Sequence, residues 1–176
     1  MNLPQQHKYV ENEKVIFQTT KQWNPKNIVE LGYGSGALTV AMSYAVSGSV
    51  FYSYDLVSPA KAISRIEKRN LNQTNKHNFI QGDVFSTYLI SPSNFDLLII
   101  DIDNTWSLIY DIVIKNSFIN NKIKQGSKVI IEGGANLHPR MNINTLNDFY
   151  QKINQKPFTF KHIAGSRTSI SILELL

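Results

Sequence analysis

Three glycines at alternate positions, Gly32, Gly34 and Gly36, follow an apolar run that carries one acid, Ile28-Val29-Glu30-Leu31. Glycine admits φ > 0 and removes the Cβ that would hold a ligand away from the backbone. The amides of such a turn, together with the helix N-terminus behind it, suit polar or anionic ligand groups. Asp55 ends the next β-type run, roughly 20 residues beyond the loop, where a carboxylate can accept both hydroxyls of a ribose. Asp83, Asp101 and Glu132 close three later runs in the same way, and Asp103 follows Asp101 by two. His138 is the one histidine in a loop that follows such a run; His7, His77 and His162 lie elsewhere. An imidazole that titrates near neutrality can take a proton from a hydroxyl. Arg140 beside it suits an anionic substrate.

These residues need a scaffold, and the chain supplies one in regular units. Val15, Ile16, Thr19 and Trp23 predict a helix over 10–23, ended by Asn24-Pro25. Strands follow at 27–31, 49–54, 77–81, 95–100 and 127–131. Helices fall between and after them, at about 36–47, 59–71, 84–90, 105–120 and 143–154. Asp83 is placed to cap the third of these. Phe95-Asp96-Leu97-Leu98-Ile99-Ile100 is the kind of run expected of a strand covered on both faces. Two final runs, 158–164 and 168–175, are joined by too short a link for a parallel crossover and must pair antiparallel. Alternating strands and helices predict an α/β fold with a doubly wound, mostly parallel sheet.

The 176 residues suit one domain, with 1–23 as arm and helix and 27–176 as core. Hydrophobic content of 42 % and charged content of 18 % are those of a soluble globular protein. No apolar run is long enough for a membrane span, and residues 1–8 lack the apolar core of a signal peptide. The absence of cysteine removes disulfides, thiolate metal sites and cysteine nucleophiles. A cytoplasmic setting is expected. The net charge is +5, but Lys61, Arg65, Lys68 and Arg69 read as a solvated helix face, since no aromatic residues interleave with them. Nucleic acid and membrane are therefore not expected as partners.

Gly32-x-Gly34-x-x-Ala37 satisfies the relaxed dinucleotide fingerprint, so an NAD-binding oxidoreductase is one reading. Read as Glu-x-Gly-x-Gly-x-Gly, the same stretch resembles the first motif of class I S-adenosylmethionine (SAM)-dependent methyltransferases. The antiparallel ending strengthens that resemblance, which spans the whole chain and implies a Rossmann-like seven-stranded sheet of order 3-2-1-4-5-7-6. It also implies cofactor contacts from Glu30 (at the methionine end), Gly32, Tyr33, Gly34, Ser35, Gly36, Asp55, Leu56, Asp83, Val84 and Asp101. Asp83 and the Val84 amide would meet the adenine.

Phe95 to Trp106 is most similar to the small-molecule O-methyltransferase-like group, whose fourth strand commonly ends Ile-Asp-Gly-Asp-His-Ser-Tyr. Asp101 and Asp103 match its acids; Asn104, Ile102 and Trp106 depart from it. The resemblance implies methyl transfer to an oxygen of a small molecule, with Asp101, Asp103 or His138 as base. Some of these enzymes hold Mg²⁺ through the acid matching Asp101 and an acidic pair after strand five. Asp101, Asp103 and Glu132 offer three oxygens, while Gly133 replaces the second member of the pair. A divalent metal is left open on these grounds. No Asn/Asp-Pro-Pro-Tyr/Phe follows strand four, against DNA N-methylation. A non-catalytic or SAM-cleaving protein of the same fold, and a partner copy completing the pocket, remain open alternatives.

Overall fold

The structure, a computed structural model, describes residues 10–88, 91–102, 106–132, 151–152, 158–164 and 169–176. Helix α1 (Val10–Trp23) leads into β1 (Asn27–Leu31), α2 (Ala37–Ala45), β2 (Val50–Asp55) and α3 (Ala60–Glu67). Strand β3 (Lys76–Gln81), α4 (Val84–Thr87), β4 (Phe95–Ile100), α5 (Trp106–Tyr110) and β5 (Ile123–Glu132) follow. Strands β6 (Phe158–Ala164) and β7 (Ser169–Leu175) close the chain. One seven-stranded sheet runs β3-β2-β1-β4-β5-β7-β6. Strands β1 to β5 pair parallel, and β7 lies antiparallel to both β5 and β6. This is the order that the resemblance implied.

Alternation along the strands sorts the core into two layers. Val29 and Leu31 of β1, Leu98 and Ile100 of β4, and Val129 and Ile131 of β5 face Ile109, Ile112 and Val113 on one side. Ile28, Leu97, Ile99 and Ile130 face Ile16 of α1 and Leu38 and Met42 of α2 on the other. Five of the six β4 residues, all but Asp96, are wholly buried, as its unbroken apolar run requires. Helix α1 thus lies over α2 on the second face, close to the carboxyl end of the sheet.

The chain departs from the sequence expectation most clearly in three places. Helix α3 stops at Glu67 because Asn70 takes a left-handed φ of 54°, and a 3₁₀ turn, Leu71–Gln73, replaces its last turn. Helix α5 continues as a π-helical segment, Asp111–Ile119. There Ser117 Oγ donates to the Ile112 carbonyl five residues back, and the Ser117 carbonyl accepts from the Lys122 amide. Strand β5 begins at Ile123, four residues early, with an irregular register opposite Phe95 to Leu97. Ser127 Oγ spans that irregularity, donating to the Phe95 carbonyl and accepting from the Lys124 amide, while Gly126 at φ 79° supplies the twist. Of the helix expected at 143–154, only 151–152 lie within the described residues, and they are helical.

Candidate functional site

The three glycines of the loop after β1 do three different jobs. Gly32 (φ +92°) cannot carry a side chain: a Cβ there would lie 1.8 Å from the Asp101 carbonyl oxygen. Its amide donates to the Tyr54 carbonyl at 2.7 Å, so it is the seam where β2, β1 and β4 meet. Gly36 (φ +80°) lets α3 approach, since a Cβ would come within 2.8 Å of Ala62 Cα. Only Gly34 (φ +47°) faces open space, with nothing within 4 Å of an added Cβ. The bare backbone expected of the whole turn therefore belongs to one residue, and its two neighbours are explained by packing.

Asp55 sits at the carboxyl end of β2, beside that opening. Its Oδ2 accepts from the Gly34 amide at 2.6 Å and its Oδ1 from the Val57 amide at 3.2 Å. Its carbonyl accepts from the Gly82 amide, so three turns converge on one residue. Each carboxylate oxygen keeps acceptor capacity beyond these single bonds. Leu56 beside it is 68 % exposed, an apolar side chain at the surface. Tyr33 points away from the opening: it is buried, its hydroxyl donates to the Val57 carbonyl, and it meets Phe79 edge-on at 5.3 Å. Ser35 is half-buried.

Asp83 caps α4, its Oδ1 accepting from the Phe85 amide at 3.1 Å. Gly82 before it lets Thr87 pack close, since a Cβ there would meet Thr87 Cγ2 at 2.7 Å and one of the two would have to shift. Val84 packs its side chain into the core. The cap leaves Oδ2 unused among the described residues, so capping and ligand contact are compatible.

Glu30 lies under the loop, on the face opposite Val29 and Leu31. It is wholly buried, accepting from Thr39 Oγ1 at 2.8 and 3.0 Å and from Ser53 Oγ at 2.6 Å. Burial pushes its carboxyl up to about 7 against those two hydroxyls, with the charge of Asp55 adding to the rise.

Asp101 ends β4 and is hydrogen-bonded to Glu132 at the end of β5. Burial first, then Glu132, holds the Asp101 carboxyl well above the usual carboxylate range; Glu30 and Asp55 push the same way. Two carboxyls brought side by side oppose each other's ionisation, and burial adds to that at Asp101. Asn12 of α1 donates Nδ2 to Glu132 Oε1 at 2.6 Å, tying the helix to the sheet's end. Asp101 is therefore a carboxyl whose ionisation its surroundings oppose.

Among the described residues no group of three or more His, Asp or Glu side chains converges to hold a metal ion. Asp101 and Glu132 are turned on each other, and an amide already lies on Glu132, so they offer fewer oxygens than a hard cation takes. The described residues do not make a divalent-cation site. Asp103, Gly133, His138 and Arg140 lie outside the described residues.

Sequence reasoning passed over Asn12, Thr39 and Ser53. Thr39 and Ser53 share a face with Glu30 through helix and strand periodicity, so a search for hydroxyls around a buried strand acid would have found them. Asn12 carries no such signal, because its partner is 120 residues away.

No protein-family model and no curated protein sequence matches the chain. Solved structures do. The O-methyltransferase from Bacillus cereus in complex with S-adenosylhomocysteine (SAH) is 19 % identical, with TM-score 0.71 over 98 % of this chain and 84 % of that one. The O-methyltransferase TomG from Streptomyces achromogenes, in complex with SAM, is 14 % identical with TM-score 0.74, over 98 % and 83 %. The SAH-bound methyltransferase PaMTH1 of Podospora anserina is 14 % identical with TM-score 0.69, over 94 % and 78 %. The chain has the fold of these SAM-dependent enzymes.

Proposed function

We propose that the chain is a SAM-dependent methyltransferase of one domain, acting on an oxygen of a small molecule. The observation that carries this reading is the pairing of the open Gly34 backbone with the Asp55 carboxylate at the sheet's carboxyl edge. The fold shared with enzymes holding SAM or SAH supports it. A dinucleotide is disfavoured by the antiparallel β7 between β5 and β6, where such folds continue parallel.

When bound, SAM supplies a methyl group that its sulfonium already activates. The task of the chain is alignment. Asp55 accepts the ribose hydroxyls on the lone pairs its two amide partners leave. Leu56 covers one face of the adenine, and the Asp83 carboxylate with the Val84 amide reads its polar edge. Gly32 and Gly36 keep the loop close to β4 and α3, so that Gly34 alone meets the ligand. On the other side, Asp101 and Glu132 form an acid pair at the ends of β4 and β5. Asp103 and His138 stay as candidate bases for the acceptor's proton, and Arg140 as a candidate substrate anchor.

No helix among the described residues is long and apolar enough to cross a membrane. We assign the protein to the cytoplasm, with a small-molecule acceptor and no nucleic-acid partner; a homodimer that completes the acceptor pocket is the oligomer to test for. The experiment is a thermal-shift comparison of SAH, SAM and NAD. Ligand at 100-fold over its dissociation constant adds about 2.7 kcal/mol of stability, which raises the melting temperature visibly. A shift with SAH and SAM and none with NAD is expected; the reverse pattern overturns the reading.

A further inference from the structure

Strands β2 and β3 start at the end of the sheet away from Gly34 and Asp55. Helix α3 stops short there at Glu67, and the chain turns through Asn70 into the 3₁₀ turn. A cavity of about 660 Å³ lies between α3, that turn and the start of β3, the size of a small-molecule site. Val50, Ile63, Ile66 and Phe79 give it apolar walls, and Ile63 keeps 37 % of its surface exposed. Two of its polar residues are already spent. Ser49 donates its hydroxyl to the Pro25 carbonyl and its amide to Asn75 Oδ1, while Asn75 Nδ2 donates to the Ser43 and Val46 carbonyls. His77 stacks on Phe51 at 4.6 Å, and burial pushes its imidazole down to about 4, so it adds no charge near neutrality.

Glu67 on α3 and Lys76 at the start of β3 are the carboxylate and the ammonium of the lining. Both are exposed, and among the described residues neither side chain has an ion pair or hydrogen bond, with the other or with any third group. Lys61, Arg65 and Lys68 do not line the cavity, so the chain's excess of positive charge is not what a ligand there meets. We propose that this cavity is a second ligand site, for a small zwitterion with an apolar body, of which an aromatic α-amino acid is the simplest case. The ligand's ammonium meets Glu67, its carboxylate meets Lys76, and its apolar side chain takes the walls of Ile63 and Phe79. Two opposite charges on one rim, too far apart to pair, favour a ligand that carries both, since a singly charged ligand leaves one of them idle. The site stands apart from the methyl-donor reading, and both ends of the sheet can be filled at once.

The test is a two-dimensional NMR titration of the whole, isotope-labelled chain with L-phenylalanine, without and with saturating SAH. Amide shifts at Gly48, Lys76 and Phe79 that persist with SAH are expected. Shifts at Gly34 and Asp55 that SAH abolishes would put the amino acid in the donor crevice and overturn the proposal. Failure of SAH itself to bind overturns the methyl-donor reading and leaves this one standing. Glu67→Gln and Lys76→Gln, both at exposed side chains, should each weaken L-phenylalanine about threefold, the worth of one exposed ion pair. L-phenylalaninamide, which lacks the carboxylate, should respond to Glu67→Gln alone, and N-acetyl-L-phenylalanine, which lacks the ammonium, to Lys76→Gln alone. Binding indifferent to both substitutions, or no shift at the cavity up to the solubility limit of L-phenylalanine, overturns the proposal.

Discussion

Asp55 and Asp101 end strands on either side of β1, a few residues of the same type at the same edge of one sheet. Their surroundings differ in kind. Asp55 is held by two backbone amides, one of them from the open Gly34, so its carboxylate oxygens are supported by N–H groups. Asp101 lies against Glu132, with two further acids bearing on it, and its carboxyl is held above the usual carboxylate range. The first is built to accept hydrogen bonds from a ligand. The second is paired with another acid at the ends of β4 and β5. Equal residue types at equal positions therefore carry opposite roles, and the deciding variable is whether an N–H or another carboxyl arrives first.

The sharpest way to break this division is at its seam. Gly32→Ala forces a methyl into the Asp101 carbonyl, a backbone atom that cannot turn aside, at a φ that alanine resists. Urea titration should show a loss of more than about 4 kcal/mol, or no folded protein at all. Gly34→Ala, with open space around its Cβ, should cost only about 1–2 kcal/mol for its φ while removing the melting shift with SAH. Equal losses for the two would mean that the loop's glycines are interchangeable.

The acid side can be probed by pH. Glu30 is raised in the folded state from 4.5 to about 7, so its stabilising contribution is complete below pH 4.5 and is lost as pH climbs through 7. Wild-type stability measured against Glu30→Gln should fall by up to about 3 kcal/mol between pH 4.5 and 8, from the 2.5-unit rise at 1.36 kcal/mol each. A constant difference across that range would mean that Glu30 stays ionised throughout. On the open side, Asp55→Ala should weaken SAH binding by about 1.5–3 kcal/mol, the worth of hydrogen bonds to a charged acceptor, read by calorimetry. Wild-type affinity in that variant would remove the ribose assignment. The smallest effect is expected at Asp101→Asn. An amide can hydrogen-bond to Glu132 without a charge, so urea titration should show a change under about 1 kcal/mol. A large loss there would mean that Asp101 is ionised after all.

The contrast also explains what the sequence could disclose. The bounds of β1 and β4, at 27–31 and 95–100, were readable because long apolar runs between turn residues leave no other choice. Asp55 was readable because topology alone puts it at the crevice. The sheet order followed from a resemblance, and the structure has it. What stayed hidden is set by three-dimensional neighbours. Gly32 and Gly34 look alike until the Asp101 carbonyl is placed beside one of them. Strand β5 starts four residues before the apolar run at 127–131, and Gly126 at φ 79° is a twist within that strand. Glu30 reads as an acid at a loop, and only the hydroxyls of Thr39 and Ser53 reveal it as sealed.

The two amides on Asp55 have a consequence for speed. A carboxylate clamped at both oxygens before any ligand arrives has no rotamer search left to make, so its ordering is completed when the chain folds. Association at this end of the crevice should then proceed as a single exponential in stopped-flow mixing, with a rate that climbs in proportion to ligand concentration and shows no plateau.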